Sequence, residues 1–138
     1  LEISVGDYVL TGDELGLLLA DHMIRRGAKG VLASSVVSSG ALAALAAARG
    51  RDHVTTLTGF KWIGRVPDLA FGYEEAIGFC PDPGNVRDKN DIATSVVAAS
   101  LVAALKALSE EGRLPASKVA QAIAKYGIKA DKINPLHA

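Results

Sequence analysis

The chain has 138 residues, of which 49% are hydrophobic and 22% are charged, and its 15 Lys and Arg residues balance its 15 Asp and Glu residues. This composition predicts one globular domain with its own core and excludes a disordered chain. A net charge of zero leaves no broad electrostatic field, so we expect neither nucleic acid nor a membrane surface as a partner.

The cysteine content and the apolar segments indicate the compartment. Cys80 cannot form an internal disulfide and has no Cys or His neighbour at metal-ligand spacing. Apolar runs stop well short of the ~20 residues of a membrane span, and the first residues carry no signal-peptide pattern. We therefore predict a cytoplasmic protein and assign it no metal ligand. Because the chain begins with Leu1 rather than Met, we interpret it as part of a longer protein.

The first half of the chain alternates helix and strand signals. Thr11 and Glu14 form the pattern of a capping box, and apolar residues then recur at helical spacing as far as Gly27. A short apolar run at 31–33 predicts a buried strand. Ser38 or Ser39 is expected to cap a second helix that stops near Gly50, and a further strand follows at 54–57. This alternation predicts an α/β fold.

The second half contains an irregular region and two further helices. Between residues 58 and 91, Gly and Pro interrupt every periodic run except the strand-like segment 69–73. We expect the functional site there, because α/β proteins bind ligands at strand ends. A long helix is predicted from Ile92 to Gly112, and a last helix from Pro115 or Ser117 to Gly127.

A pair of carboxylates follows the 69–73 segment. Glu74 and Glu75 lie between Gly72 and Gly78, which allow the loop to approach a ligand closely. Ionised carboxylates accept hydrogen bonds from vicinal hydroxyls, so a sugar is a reasonable ligand. On these residues alone a solvated acidic turn is the more common explanation.

Two other segments carry candidate ligand contacts. Arg87 and Lys89 adjoin a predicted helix N-terminus, which favours an anion such as phosphate, although both cations could instead pair with neighbouring aspartates on the surface. The segment 55–64 turns at Gly59 and presents Trp62. Aromatic faces stack on sugar rings, but a lone Trp in a small domain is more often a core residue.

Taken together, these segments resemble one enzyme family. The sequences Thr-Leu-Thr-Gly-Phe-Lys-Trp-Ile-Gly at 56–64, Phe-Gly-Tyr-Glu-Glu-Ala-Ile-Gly-Phe at 71–79 and Arg-Asp-Lys-Asn-Asp at 87–91 are similar to domain three of the α-D-phosphohexomutases. The resemblance extends to the segments 10–16 and 36–39 and covers nearly the whole chain. The family's sugar loop reads Gly-Glu-x-Ser, and here Tyr73 and Ala76 replace its Gly and Ser, so Glu74 alone carries over as a hydroxyl acceptor.

The resemblance implies a fold, an activity and a set of site residues. It implies a three-layer α/β/α domain with a mixed sheet of about four strands, spanning residues 1–138 as the sugar-specificity domain of a four-domain enzyme. Such an enzyme interconverts sugar 1-phosphate and 6-phosphate through a phosphoserine and a sugar bisphosphate, with Mg²⁺ bound by its second domain. Lys89 is the implied catalytic residue. The implied substrate-binding residues are Thr58, Gly59, Glu74, Glu75, Ala76, Arg87 and Lys89.

Several implications concern the chain by itself. Its expected partners are the sugar monophosphate, the sugar bisphosphate and the enzyme's other domains. The isolated domain is expected to be inactive, because the serine, metal and C-terminal phosphate loops of the family are missing from it. A non-catalytic sugar-phosphate binding module is the alternative. A nucleotide-binding Rossmann-type domain ranks last, because no glycine-rich fingerprint follows a first strand.

Overall fold

A computed structural model describes residues 1–5 and 8–110. Ten elements follow one another in this part of the chain: β1 (Ser4–Val5), β2 (Tyr8–Val9), α1 (Gly12–Arg25), β3 (Val31–Ser35), α2 (Ala41–Ala48), β4 (His53–Thr56), α3 (Phe60–Ile63), β5 (Leu69–Glu74), β6 (Gly78–Cys80) and α4 (Asp91–Glu110). The helix predicted from Pro115 or Ser117 to Gly127 lies outside the described residues.

Four of the strands form a mixed sheet in the order β4-β3-β5-β6. Strand β3 pairs in parallel with both β4 and β5, and β6 returns antiparallel to β5. The predicted mixed sheet of about four strands is thus confirmed. The carboxyl ends of β3, β4 and β5 meet at one edge, where parallel sheets place their ligand sites. Strands β1 and β2 form a separate antiparallel pair.

Side chains on the two sides of this sheet pack into two apolar clusters. Leu32 and Ala33 are consecutive in β3 and enter different clusters, because successive strand residues point to opposite faces. The first cluster contains residues of α1, α2 and α4, and the second contains Phe60 and Ile63 of α3. Helices therefore cover both faces, as a three-layer α/β/α domain requires.

The predicted beginning and end of α1 are confirmed. Thr11 Oγ1 accepts a hydrogen bond from the Glu14 amide at 3.3 Å, and Glu14 Oε2 accepts one from the Thr11 amide at 2.8 Å. This reciprocal pair satisfies two amides at the helix N-terminus that have no partner within the helix. The helix ends at Arg25, just before Gly27, whose φ is 91°.

The predicted serine cap of α2 is found only in part. Gly40 occupies the N-cap position, so neither serine does, but Ser39 Oγ accepts a hydrogen bond from the first helical amide, that of Ala41, at 3.4 Å. The Ser38 hydroxyl instead contacts Glu75, 37 residues further along the chain, and the Ser39 amide donates to Asp13. The Ser38 side chain, which the local sequence assigns to a helix cap, therefore makes a tertiary contact with Glu75.

The region between 58 and 91 is more regular than its sequence suggests. It contains the four-residue helix α3 and the three-residue strand β6, which are both too short to show periodicity. Helix α4 begins at Asp91, one residue before the predicted start, and Asn90 Oδ1 accepts the Ala93 amide at 3.0 Å as its cap. None of the described helices is both long enough and apolar enough to cross a membrane.

Candidate functional site

The two candidate glutamates lie where β5 turns into β6. Glu74 pairs with Gly78 across the hairpin, so the connecting loop consists of residues 75–77. Ile77 closes this loop with φ at 58°, in the left-handed region where a β-branched residue is strained. We refer to residues 74–77 as the glutamate loop. It stands at the carboxyl edge of the sheet.

Glu74 presents a partly enclosed carboxylate. Its Oε2 atom is buried and has no hydrogen-bond partner among the described residues. A Cβ added at Gly78 would lie 3.0 Å from Glu74 Oε1 and 2.6 Å from the Phe60 ring, so a side chain at residue 78 would displace the ring and crowd the carboxylate. A buried acceptor without a donor costs free energy, which a ligand hydroxyl can recover.

Glu75 extends in another direction, into the protein. Its Oε2 accepts hydrogen bonds from the hydroxyls of Ser35 at 2.9 Å and Ser38 at 3.2 Å, and its amide donates to Ser38 Oγ at 3.2 Å. The two serine oxygens are 2.8 Å apart. We refer to residues 35–39 as the serine turn. Ala76, the next candidate, is exposed at the tip of the glutamate loop.

A second set of hydrogen bonds joins the same region to α1. Asp13 Oδ1 accepts the Tyr73 hydroxyl at 2.7 Å and the Ser39 amide at 2.9 Å. The Tyr73 ring is fully buried in the first apolar cluster. Burial and the hydrogen bond to Asp13 raise the pKa of Tyr73 far above its usual value, so this hydroxyl remains a donor at neutral pH.

The candidate cations lie just before α4, beside β6. The Asn90 amide donates to the Phe79 carbonyl at 2.9 Å, which places Lys89 next to the strand that pairs with Glu74. Lys89 and Arg87 are exposed, and neither forms an ion pair within residues 1–5 and 8–110. Arg87 Nη1 donates to the Gly64 carbonyl at 3.3 Å. The alternative in which both cations pair with neighbouring aspartates is therefore wrong.

The third candidate segment follows β4. Thr58 is exposed, and Gly59 has φ at 110° and precedes α3. Trp62 is 38% exposed, with Lys61 Nζ 5.5 Å from its ring centre, so the interpretation of Trp62 as a core residue is wrong. Phe60 is the member of this segment whose ring lies against Gly78, the residue that pairs with Glu74.

Part of the predicted site thus lies at the carboxyl edge of the sheet, and the structure adds further residues to it. Glu74 ends β5, Lys89 precedes α4 beside β6, and Glu75 faces the serine turn. The sequence patterns predict neither the site position of Ser35 nor the tertiary contact of Ser38, and Asp13 lies unmarked between Thr11 and Glu14 of the capping box. Their position is the available signal, because Ser35 ends a buried strand and Ser38 follows three residues later, at the carboxyl edge of the sheet.

Among the described residues, neither a metal centre nor the groove between α1 and α4 adds to this site. In residues 1–5 and 8–110, no three His, Cys, Asp or Glu side chains converge as a metal ion would require. A groove of about 460 Å³ lies between α1 and α4, lined by residues that include His22, Arg26, Asp82 and Ser100. Glu74 is not among its lining residues.

The arrangement defines an α/β domain with a partly buried carboxylate at the carboxyl edge of its sheet and exposed cations just before α4. Residues 11–126 match the family described as phosphoglucomutase/phosphomannomutase, alpha/beta/alpha domain III. The chain belongs to this family.

Individual relatives agree with the family match. A probable phosphomannomutase of Haemophilus influenzae is 44% identical over 99 residues, covering 70% of this chain and 20% of the relative. The human phosphopentomutase is 37% identical over 117 residues, covering 70% of this chain and 19% of the relative. The chain therefore spans about a fifth of the length of these curated relatives.

A solved structure shows the same fold. The crystal structure of a Thermus thermophilus protein described as a phosphomannomutase superposes with a TM-score of 0.67 at 27% identity. The match covers 71% of this chain and 23% of that protein. The homologues are mutases, so the chain has the role of a mutase domain.

Proposed function

We propose that residues 1–138 form the sugar-binding domain of a cytoplasmic phosphoglucomutase/phosphomannomutase with four domains. In this proposal the whole enzyme interconverts sugar 1-phosphate and sugar 6-phosphate. A phosphoserine of another domain gives its phosphoryl group to a free sugar hydroxyl, so that one P–O bond forms as the bond to serine breaks. The resulting bisphosphate turns over in the site and returns its other phosphoryl group to the serine.

The unpartnered oxygen of Glu74 is the observation that carries this proposal. Neighbouring hydroxyls on a sugar ring can both donate to one carboxylate, which is an acceptor with several lone-pair sites. Because the bisphosphate must present either end to the serine, the domain needs to hold the middle of the ring. A carboxylate suits this role, since it attracts hydroxyls and repels phosphate.

The exposed cations beside α4 complement this carboxylate. Lys89 can offset charge on the phosphate or on the reacting hydroxyl and can assist proton transfer there. Arg87 is held near α3 and can bind the more distant phosphate. We assign further substrate contacts to Thr58 and Gly59, which follow the carboxyl end of β4, and to Ala76 at the tip of the glutamate loop.

The family implies Mg²⁺, which offsets charge on the phosphoryl group during transfer. The described residues do not fit such a site, because no set of three potential ligands converges among them. We therefore assign Mg²⁺ to another domain of the whole enzyme and derive no step through it here. In this proposal the chain binds the sugar, orients it toward the phosphoserine and neutralises charge on its phosphate.

Turnover by the whole protein tests the proposal. The full-length protein that contains this chain would be incubated with glucose, mannose or pentose 1-phosphate and a catalytic amount of the corresponding bisphosphate. Phosphorus NMR would follow the movement of phosphate to the other end of the sugar. Conversion of at least one of these substrates is expected. Tight binding without conversion would instead support a non-catalytic sugar-phosphate module.

Variants of that protein test the two side chains. Glu74→Gln is expected to raise KM, because the uncharged amide accepts hydroxyl bonds less strongly. Lys89→Ala should cost about 2–4 kcal/mol of transition-state stabilisation, the scale of other preorganised electrostatic contacts. Lys29→Ala removes another exposed lysine and serves as the matched control. If Lys89→Ala keeps the kcat/KM of the control, the assignment of Lys89 fails.

A further inference from the structure

We propose that Glu75 is a positioning residue that fastens the glutamate loop to the serine turn and so fixes the place of Glu74. This inference rests on the proposed function, in which Glu74 binds the sugar. In this inference the two adjacent carboxylates have different roles: Glu74 faces the ligand, and Glu75 faces the protein. Sequence similarity alone assigned both of them to the substrate.

The contacts of Glu75 form a closed polar cluster. One carboxylate oxygen accepts from Ser35 and Ser38, and the amide of the same residue donates back to Ser38. Ser35 is 1% exposed, so water competes little for its hydroxyl. Hydrogen bonds to an ionised group are stronger than neutral ones, which makes this cluster a firm attachment.

A close backbone contact supports the same attachment from α1. A Cβ added at Gly12 would collide with the Glu75 carbonyl oxygen, so the loop rests directly on the first turn of the helix. Asp13 in that turn holds both Tyr73 and Ser39, the residues that flank the glutamates and end the serine turn. Three segments distant in sequence therefore meet around Glu75.

The attachment matters for Glu74 because the loop is short and strained. Ile77 holds φ at 58°, a conformation that persists only where surrounding contacts enforce it. Releasing Glu75 lets residues 75–77 relax, and the backbone of Glu74 moves with them. Since misplacement of about 1 Å can cost a hundredfold in rate, a small movement of this carboxylate is enough to impair the reaction.

Kinetics on the full-length protein distinguish positioning from direct contact. Glu75→Ala should raise KM for the sugar monophosphate by about tenfold to a hundredfold, the equivalent of a lost charged hydrogen bond. Glu75→Gln should recover most of this loss, because only one carboxylate oxygen is used and the amide oxygen can replace it. Glu2→Ala, at an exposed position, is the matched control.

The serine partners provide the second half of the test. Ser38→Ala should raise KM in the same way, and combining it with Glu75→Ala should add little, because both remove one cluster. If Glu75→Gln is as damaging as Glu75→Ala while Ser38→Ala has no effect, the charge of Glu75 contacts substrate directly and the inference is wrong. Unchanged KM in Glu75→Ala also overturns it.

A measurement without substrate separates this inference from the proposed function. Hydrogen exchange of the amides of residues 75–77 is followed in the ligand-free protein by NMR or mass spectrometry. Ser38→Ala should accelerate this exchange, since the Glu75 amide loses its acceptor. Unchanged exchange overturns the attachment even if the enzyme is active. Faster exchange in a protein without mutase activity leaves the attachment standing and removes only the proposed function.

Discussion

Cys80 illustrates how burial decides the chemistry of a single residue. Its side chain is fully buried at the end of β6, and its thiol donates to the Val86 carbonyl at 3.3 Å. Burial raises the pKa of the Cys80 thiol to about 11, with Asp82 and Asp88 adding to the effect. Because the thiolate is the reactive form, the thiol is inert at neutral pH.

Two measurements check the inertness of Cys80. A chromogenic disulfide reagent should modify the native protein slowly and the denatured protein at once, since unfolding both exposes the thiol and lowers its pKa. Cys80→Ser in the full-length enzyme should leave turnover within a few-fold. A loss above ~100-fold in a folded variant would show a catalytic role, because catalytic groups contribute on that scale.

His53 provides a pH-dependent contribution to stability. Its Nε2 lies 3.0 Å from Ser34 Oγ, and burial lowers the pKa of His53 below its usual value of 6.5. The unfolded chain therefore binds this proton more readily than the folded one. The contribution of neutral His53 to stability is complete at a pH above the pKa of this residue in the unfolded chain. It is lost as the pH falls through the lower pKa of His53 in the folded protein.

Urea unfolding at several pH values checks this contribution. The free energy of unfolding should fall as the pH drops from about 7.5 to about 5, around the ordinary titration range of His. His53→Gln should flatten this part of the profile, because glutamine carries no titrating proton. An identical pH profile for the variant would contradict the assignment to His53.

At the scale of elements, the first turn of α1 is the surface on which the glutamate loop packs. Helix starts are usually discussed as caps, and here Thr11 and Glu14 provide one. The next two positions do something different, because Gly12 leaves space for the Glu75 carbonyl and Asp13 binds the serine turn. The first turn of α1 therefore carries its own N-terminal cap and also contacts both the glutamate loop and the serine turn.

A pair of alanine substitutions tests the packing of the glutamate loop on the first turn of α1. Gly12→Ala places a Cβ against the Glu75 carbonyl and should lower the free energy of unfolding by about 1–3 kcal/mol, as overpacking does. In the full-length enzyme it should also raise KM by displacing the loop. Gly84→Ala is the matched control, because its Cβ would meet only Asp82 Oδ1, at the ordinary contact distance of 3.6 Å, and Gly84 has no positive φ. Equal stability of the two variants would contradict the close contact.

Elements with long periodic or capped sequences were predictable, and sites made by distant segments were not. The start of α1 depends on residues three positions apart, so Thr11 and Glu14 reveal it locally. Ser38 looked like a helix cap because its partner, Glu75, is 37 residues away and only the folded sheet brings them together. The resemblance identified Glu74 and Lys89, but it could not show which direction each glutamate takes.

At the scale of the whole molecule, the described residues place the proposed ligand edge on one side of a four-stranded sheet. The chain spans about a fifth of the length of its curated relatives, and in our proposal the serine and metal loops come from outside it. The isolated chain is therefore expected to bind sugar phosphate weakly and to catalyse nothing. Isothermal titration and a turnover assay of this chain beside the full-length protein would check both expectations.

The meeting of three distant segments around Glu75 also has a consequence for the order of folding. The bond from Tyr73 to Asp13 closes a loop of 60 residues, whereas the sheet partners Ser34 and Tyr73 are 73 − 34 = 39 residues apart, so the contact with α1 has the larger entropic cost of loop closure. We expect the sheet to form first and the glutamate loop to lock last. In pulse-labelled refolding, the amide of Glu75 should gain protection after the amides of β3 and β5. Simultaneous protection would show that the site and the sheet form in a single step.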